Sequence, residues 1–98
     1  MVSVITTIYN GEDFIVRCLQ QVLNQSLGIQ NIEHVFIDDC STDHTSKILR
    51  EIENNYNHVK VVLSPKKIGR GIALALGVQS SKFDIISILD VDDLWHID

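Results

Sequence analysis

The hydrophobic positions along the chain change their spacing repeatedly, and each change marks a predicted strand or helix. Short apolar runs rich in β-branched residues predict four strands, at residues 2–7, 33–38, 59–63 and 84–89. Between these runs, apolar residues recur every three or four positions and predict three helices. Strands that alternate with helices are typical of a parallel sheet covered on both faces. The pattern therefore predicts an α/β protein, a Rossmann-like three-layer α/β/α fold with a parallel sheet of about four strands.

Each predicted helix has an apolar side that we expect to pack on the sheet. The first begins at Glu12, where acidic side chains suit a helix N-terminus, and its buried residues are expected to be Phe14, Ile15, Cys18, Leu19, Val22 and Leu23. The second follows N-cap residue types at 41–43, and its buried residues are expected to be Thr45, Ile48, Leu49, Ile52 and Tyr56. The third runs from about Ile72 to Ser80, after a glycine-rich turn at 69–71.

Composition narrows the class of protein. The chain has 98 residues, 45% of them hydrophobic and 21% charged, which is typical of one small globular domain. A net charge of −5 argues against a nucleic-acid partner, which needs a basic surface. Cys18 and Cys40 are expected to be reduced packing residues. Signal-peptide and membrane-spanning patterns are absent, so we expect a cytoplasmic location, with any place at the inner face of the membrane owed to parts of the protein outside these 98 residues.

Acidic residues collect after two of the predicted strands. Asp38 and Asp39 end the second strand, and Asp90, Asp92 and Asp93 follow the fourth. Ligands of open parallel sheets bind beyond the carboxyl ends of the strands, where these acids converge. An isolated Asp-x-Asp is more often a solvated turn or cap, but clustered carboxylates favour a hard divalent cation whose shell substrate phosphates complete. The sequence therefore predicts a diphosphate–metal site at this edge.

Three ordered segments carry a family resemblance. Val2–Asn10 resembles the S-V-I-x-P-x-Y-N opening of glycosyltransferase family 2, residues 36–43 resemble its V-V-D-D-G-S-T-D, and residues 88–95 resemble its F-L-D-S-D-D-x-W. The resemblance covers essentially the whole chain. It implies a GT-A fold, of which residues 1–98 form the part that binds a nucleoside-diphosphate sugar. The acceptor site and the catalytic base, an Asp or Glu, are then expected in a C-terminal half that these residues do not include.

The resemblance also implies roles for individual residues. Thr7 and Tyr9 are expected to line the nucleoside pocket, Asp39 to accept a hydrogen bond from the base, and Asp92 to lie near the ribose and diphosphate. Arg70, close to the start of the third helix, is expected to help bind phosphate, since helix N-termini and Arg both favour it. Lys66 and Lys67 are expected to be solvated. The implied metal is Mn²⁺ or Mg²⁺, with ligands drawn from Asp90, Asp92 and Asp93.

The activity that the resemblance implies is inverting transfer of a sugar. The expected donor is a nucleoside-diphosphate sugar, most simply a UDP-sugar, and the expected acceptor is a hydroxyl of a sugar or lipid-linked glycan in cell-surface polysaccharide synthesis. A non-catalytic module that senses a nucleotide or sugar is the alternative. The glycine motifs of dinucleotide-binding and phosphate-binding loops are absent. A phosphotransfer receiver domain is disfavoured, because it would carry paired acids after the first strand, where Thr7 stands.

Several positions depart from the family pattern. Thr7 replaces the usual Pro, Cys40 replaces the usual Gly, and Ala73-Leu74-Ala75 replaces the A-R-N of many members, which shifts the expected phosphate contact to Arg70. The strand at 84–89 is nearly all apolar. We expect it to form an exposed sheet edge through which this chain associates with a second copy.

Overall fold

The computed structural model describes residues 1–24 and 31–89. Within these segments the chain forms, in order, β1 (Val2–Ile8), α1 (Ile15–Leu23), β2 (Ile32–Asp38), α2 (Thr45–Asn55), β3 (Val59–Leu63), α3 (Arg70–Ser80) and β4 (Ile85–Ile88). The predicted alternation of strands and helices is confirmed. None of the described helices combines the length and the apolar character that a bilayer crossing requires.

The four strands form one parallel sheet in the order β3-β2-β1-β4. Val2 is paired with Ile32 on one side and with Ile85 on the other, so β2 and β4 flank β1. The chain first moves outward from β1 to β3 and then returns to the opposite side of β1. The strand order therefore reverses between β1 and β4, and open parallel sheets bind ligands beyond the carboxyl ends of the strands at such a reversal.

Two apolar clusters cover the two faces of the sheet. The larger unites residues of β1, β2, α1 and α2, among them Ile8, Leu19, Phe36 and Leu49. The smaller joins Ile5, Val35 and Ile37 of the sheet to Ala73 of α3. All seven residues of β2 are buried, as expected for a central strand covered on both sides. The predicted three-layer α/β/α arrangement is therefore confirmed.

Two residues predicted to be buried are exposed instead. Phe14 is 39% exposed because α1 begins at Ile15 rather than at Glu12, which leaves Phe14 in the N-cap position. Tyr56 is 37% exposed because α2 ends at Asn55, and the backbone at Tyr56 is extended, with φ −130° and ψ 112°. Both residues lie just outside a helix, Phe14 before α1 and Tyr56 after α2. Helical spacing does not determine the direction of a side chain there.

α3 approaches the sheet most closely at Gly77. A Cβ atom added to Gly77 would lie 2.5 Å from Cγ2 of Ile5 and 3.4 Å from Cγ1 of Ile37. The lack of a side chain at this position therefore allows α3 to pack directly on β1 and β2. Gly71, in the first turn of the same helix, is exposed, and an added Cβ there would meet no atom within 4 Å.

We predict opposite effects of alanine at the two helical glycines. Gly77→Ala should lower the free energy of unfolding by about 1–3 kcal/mol, because the new methyl group overpacks Ile5. Gly71→Ala, the matched control, should raise it by up to about 1 kcal/mol through helix propensity alone. Chemical denaturation of the two variants beside the parent chain measures both values. Equal effects of the two substitutions would show that α3 does not pack this closely.

His34 is a fully buried residue of β2. Its Nε2 atom lies 2.9 Å from the Thr6 hydroxyl and 4.0 Å from the Cys18 thiol, and its ring stacks on Phe36 with centroids 4.0 Å apart. Among the described residues, Nδ1 of His34 finds no hydrogen-bond partner. Burial, with a smaller contribution from His58, lowers the pKa of His34 to about 3. Burial also raises the pKa of Cys18 to about 11, against the hydrogen bond from Thr6, so both groups are neutral in the folded chain.

We predict that the free energy of unfolding decreases as the pH is lowered below about 6.5. The pKa of His34 is lower in the folded chain than in the unfolded one, so the unfolded chain binds the extra proton, and stability is complete only above the unfolded pKa. Between pH 6.5 and pH 5 the loss should reach about 2 kcal/mol. Chemical denaturation at each pH measures it.

His34→Gln should remove most of that pH dependence while keeping a partner for Thr6. Burial lowers the pKa of His58 as well, so His58→Gln is measured beside it to show the share of the pH dependence that His58 contributes. The window ends at pH 5, above the range in which carboxylates titrate. An unchanged slope in His34→Gln would contradict the assignment.

Candidate functional site

Three loops meet at the carboxyl edge of the sheet, and Asp39 connects two of them. The side chain of Asp39, directly after β2, is only 5% exposed. Its Oδ1 atom accepts a hydrogen bond from the backbone N–H of Ile68 at 2.7 Å, and Oδ2 accepts one from the N–H of Gly69 at 3.0 Å. Both donors belong to the loop between β3 and α3, so this carboxylate holds that loop against the end of β2.

The charge of Asp39 is compensated where it lies. Burial by itself raises the pKa of this carboxyl, but the N–H groups of Ile68 and Gly69 and the ammonium of Lys67 lower it further, and the net pKa lies below its usual range. Asp39 is therefore ionised at neutral pH and can only accept hydrogen bonds. A ligand that reaches this carboxylate must present an N–H or O–H group.

Lys67 connects the third loop. Its Nζ atom lies 3.3 Å from Oδ2 of Asp39 and 3.7 Å from the centre of the Tyr9 ring, which is 44% exposed in the loop after β1. The side chain of Lys67 is 55% exposed, as expected of a solvated lysine, but it also makes these two contacts, which the sequence did not indicate. Its neighbour Lys66 is exposed as expected. Tyr9, Asp39 and Lys67 form what we call the edge triad.

The loop after β1 is fixed by Asn10. The backbone of Asn10 is left-handed, with φ 50°, a conformation that Asn tolerates better than most residues. Its side-chain oxygen accepts hydrogen bonds from the N–H groups of Thr42 at 2.7 Å and Asp43 at 3.3 Å, and its own N–H donates to the hydroxyl of Ser41 at 2.9 Å. Asn10 thus satisfies backbone donors just ahead of α2 and holds Tyr9 in place beside the loop after β2.

The two loops exchange further hydrogen bonds. The carboxylate of Glu12 accepts from the N–H of His44 at 3.1 Å and pairs with its ring at 2.9 Å, while Asp43 accepts from the N–H of Glu12 at 3.4 Å. The Thr45 hydroxyl accepts from the N–H of Gly11 at 3.1 Å. Glu12 therefore sits at the N-terminus of α2 rather than of α1, which corrects its predicted place. The favourable contact with a helix dipole is kept, but with a different helix.

Cys40 adopts a backbone conformation that usually belongs to glycine. Its φ is +61°, which explains why glycine is the usual residue of the resembling motif here. The Cys40 thiol lies 3.7 Å from the carbonyl oxygen of Pro65, in the loop after β3. Both Cys40 and the buried Cys18 are free thiols, as predicted.

Thr7 and Arg70, the other predicted site residues that the structure describes, lie near the same edge of the sheet. Thr7 is half-buried near the end of β1, paired with Ile37. Arg70 is the exposed first residue of α3, one position after the Gly69 N–H that contacts Asp39. The structure thus brings Tyr9, Asp39 and the start of α3 to one edge, with Thr7 at the end of the adjoining strand.

The predicted metal ligands Asp90, Asp92 and Asp93 lie outside the described residues. Leu89, the last residue described, donates its N–H to the carbonyl of Ile5 at 3.0 Å, so the carboxyl end of β4 lies beside β1. Across residues 1–24 and 31–89, no group of three or more His, Cys, Asp or Glu side chains is arranged to hold a metal ion. The metal site stays a prediction for residues 90–93.

Sequence reasoning missed the residues that build this edge. Asn10 and Asp43 stand inside the motif segments, and Asp43 is one of the N-cap residue types at 41–43, but motif letters do not show which loop a side chain contacts. Nothing in the sequence indicates that Lys67 contacts Asp39. Together the edge offers an exposed aromatic face, a buried anionic acceptor and a helix N-terminus. A planar ring with an N–H group, attached to phosphate, matches these three features.

The comparisons with known proteins identify the family of this chain. The sequence matches the family model described as Glycosyl transferase family 2 over residues 3–98. The minor teichoic acid biosynthesis protein GgaA of Bacillus subtilis (strain 168) is 38% identical over 100 residues, which cover 97% of this chain and 22% of GgaA. The chain spans about a third of the length of the first curated relatives that it matches.

Two solved structures are similar in fold. TarS 1-349 of S. aureus in complex with UDP-GlcNAc superimposes with a TM-score of 0.85 at 30% identity, covering 95% of this chain and 27% of the TarS 1-349 chain. The mannosyltransferase PcManGT of Pyrobaculum calidifontis, in complex with GDP-Man and Mn²⁺, gives 0.87 at 27% identity, covering 96% and 28%. The predicted GT-A fold is confirmed by these neighbours. The match of the family model to residues 3–98 shows that this chain belongs to glycosyl transferase family 2.

Proposed function

We propose that this chain is the part of a glycosyltransferase that binds the nucleotide of a nucleoside-diphosphate sugar. The observation that carries the proposal is that Lys67 joins the ring of Tyr9 to the carboxylate of Asp39 at the carboxyl edge of the sheet, where β1 and β2 end. The exposed ring of Tyr9 offers a stacking surface, and the ionised carboxylate of Asp39 lies close enough for one ammonium group, that of Lys67, to contact both. Thr7, at the end of β1, completes the proposed nucleoside pocket.

The chemistry of Asp39 limits the choice of base. An ionised carboxylate only accepts, so the base must present an N–H group, as uracil and guanine do at their ring nitrogens. TarS has been solved with UDP-GlcNAc and PcManGT with GDP-Man, which supports a base of this kind. A UDP-sugar is the donor that we favour.

The diphosphate is proposed to lie at the start of α3. This helix has 11 residues and begins at Arg70, so its first N–H groups and the guanidinium both attract an anion. Asp39 holds Gly69 by its N–H and so fixes where this helix begins. Asp92 is proposed to approach the ribose and diphosphate from the end of β4.

A divalent cation is proposed to join the diphosphate to the acidic segment. Asp90, Asp92 and Asp93 offer the oxygen ligands that Mn²⁺ or Mg²⁺ prefers, and the chain leaves β4 beside β1, at the same edge as Asp39. Such a cation, when bound, stabilises the negative charge that develops on a departing nucleoside diphosphate. The Mn²⁺ in the PcManGT complex supports this part of the proposal.

The whole protein is proposed to transfer the sugar with inversion to a hydroxyl of a sugar or lipid-linked glycan. The name of the relative GgaA supports a role in building a cell-surface polymer. The catalytic base is assigned to chain beyond residue 98, and the location proposed is the cytoplasm, at the inner face of the membrane. The 98 residues alone should therefore bind nucleotide and transfer nothing.

Calorimetric titration of UDP into the chain, with and without Mn²⁺, tests the nucleotide site. Binding should require Mn²⁺ and should be lost in the double variant Asp92→Ala/Asp93→Ala, because two of the proposed ligands are removed. Asp84→Ala is the matched control: it removes an exposed acid just before β4, away from the carboxyl edge, and should bind UDP like the parent chain.

Three outcomes of these measurements would contradict parts of the proposal. If UDP, GDP and dTDP all fail to bind a chain shown to be folded by circular dichroism, the nucleotide proposal is wrong for these residues. Binding that survives the double substitution contradicts the metal assignment only. Turnover of a nucleotide sugar by the 98-residue chain would place the catalytic base within it, against the proposal.

Self-association of this chain through β4 is a separate proposal. Ile85 and Ile88 are 61% and 49% exposed, and among the described residues β4 is paired with β1 alone, which leaves its outer edge open. An open apolar edge strand favours pairing with another copy. We expect light scattering to detect a dimer whose dissociation follows dilution.

Lysine on this edge should oppose that association. Ile85→Lys/Ile88→Lys should be monomeric, since charged edge residues block strand pairing. Val16→Lys, at an equally exposed apolar residue of α1, should leave the dimer intact. A parent chain that stays monomeric at high concentration, or a dimer dissociated only by Val16→Lys, would place the association elsewhere or exclude it.

A further inference from the structure

The carboxylate of Asp39 has three partners among the described residues, and they are not equivalent. The N–H groups of Ile68 and Gly69 donate at 2.7 and 3.0 Å and belong to the backbone that leads into α3. They cannot leave without rebuilding the loop. The third partner, the ammonium of Lys67, is more distant at 3.3 Å and sits on a flexible side chain that is 55% exposed. Lys67 is therefore the one partner among these three that can be exchanged without moving backbone.

The same ammonium covers Tyr9. Nζ of Lys67 lies 3.7 Å from the centre of the ring. Stacked rings make contact at about this separation, since carbon atoms attract best at roughly 3.5–4.0 Å. The ammonium thus occupies the layer in which a base stacked on this face of Tyr9 would lie, and it also contacts Oδ2, one of the two acceptor oxygens that Asp39 offers a base. A base and the Lys67 ammonium cannot hold these positions together.

We infer that Lys67 occupies the base pocket in the free chain, imitating the N–H donor of a nucleobase, and must withdraw before a base can bind. The inference rests on the proposed nucleotide-binding function. While in place, the ammonium compensates the Asp39 charge and covers the Tyr9 ring. A base replaces both contacts only if it is planar and carries an N–H donor, so Lys67 acts as a specificity-determining residue that excludes ligands able to make only one contact.

Lys67→Met tests the inference, because methionine keeps an apolar stem of similar length and removes the ammonium. Uridine, which has no phosphate, is the probe for the base pocket alone, and its affinity is measured by NMR titration. Uridine should bind about three- to thirtyfold more tightly to Lys67→Met, the combined size of an exposed cation–π contact and an exposed ion pair. Lys66→Met, with the same change of net charge at an exposed neighbour, should bind uridine like the parent.

The position of Lys67 can be followed directly. In the free chain the methylene protons next to Nζ should resonate upfield, because Nζ lies 3.7 Å from the centre of the Tyr9 ring, and Tyr9→Leu should abolish that shift. Saturation with uridine, or with UDP and Mn²⁺ where uridine binds too weakly to saturate, should move the signal downfield. A Lys67 signal that stays upfield in the saturated chain, or uridine affinity that is unchanged or lower in Lys67→Met, would overturn the inference.

UDP binding separates this inference from the proposed function. If the parent chain binds UDP with Mn²⁺ but neither the affinity nor the signal changes as expected, the nucleotide site stands and the role of Lys67 falls. If neither the parent nor Lys67→Met binds UDP or GDP while both are folded, the proposed function fails and the inference fails with it. UDP binding by Lys67→Met alone would support both.

Discussion

A buried carboxylate that must be compensated organises the functional edge of this protein. Asp39 emerges from the central strand β2 into a position that is 5% exposed, where an unpaired charge would be costly. Two backbone N–H groups of the loop after β3 satisfy it, and the requirement fixes where that loop runs and where α3 begins. The start of α3, the position of Arg70 and the place that we propose for a diphosphate all depend on these two hydrogen bonds.

The same edge shows two kinds of polar interaction, which differ in strength and purpose. Asn10, Glu12, Asp43 and Thr45 exchange hydrogen bonds with backbone groups of the neighbouring loop, so that each loop caps the other. These contacts are short-range and numerous, and they hold Tyr9 in position. The contacts of Lys67 join side chains only, and its side chain is half-exposed. The first set of contacts holds the loops together, and Lys67 is the group that we propose to exchange. The charge of Asp39 would then be compensated both with and without a bound ligand.

Burial in the sheet is unequal from strand to strand. β2 is covered on both faces, and His34 can lie there only as a neutral ring, which links the stability of the fold to pH. β4, at the edge next to β1, leaves Ile85 and Ile88 largely exposed. The chain spans about a third of the length of its first curated relatives. Further chain or a second copy could therefore cover the exposed apolar residues of β4.

The sequence by itself determined the order of elements, the parallel three-layer fold and the family, because hydrophobic period and motif spacing are local properties of the chain. It placed Tyr9, Asp39 and Arg70 at the carboxyl edge, since that follows from strand direction alone. Its prediction of burial was wrong at Phe14, just before α1, and at Tyr56, just after α2. Its placement of Glu12 was wrong because the partner of Glu12, His44, is 32 residues away. Only the tertiary structure decided that Lys67 joins Tyr9 to Asp39 and that Gly77 admits α3 onto Ile5. These contacts join residues from separate loops and elements, and their geometry exists only once the sheet has brought strands from distant parts of the chain side by side.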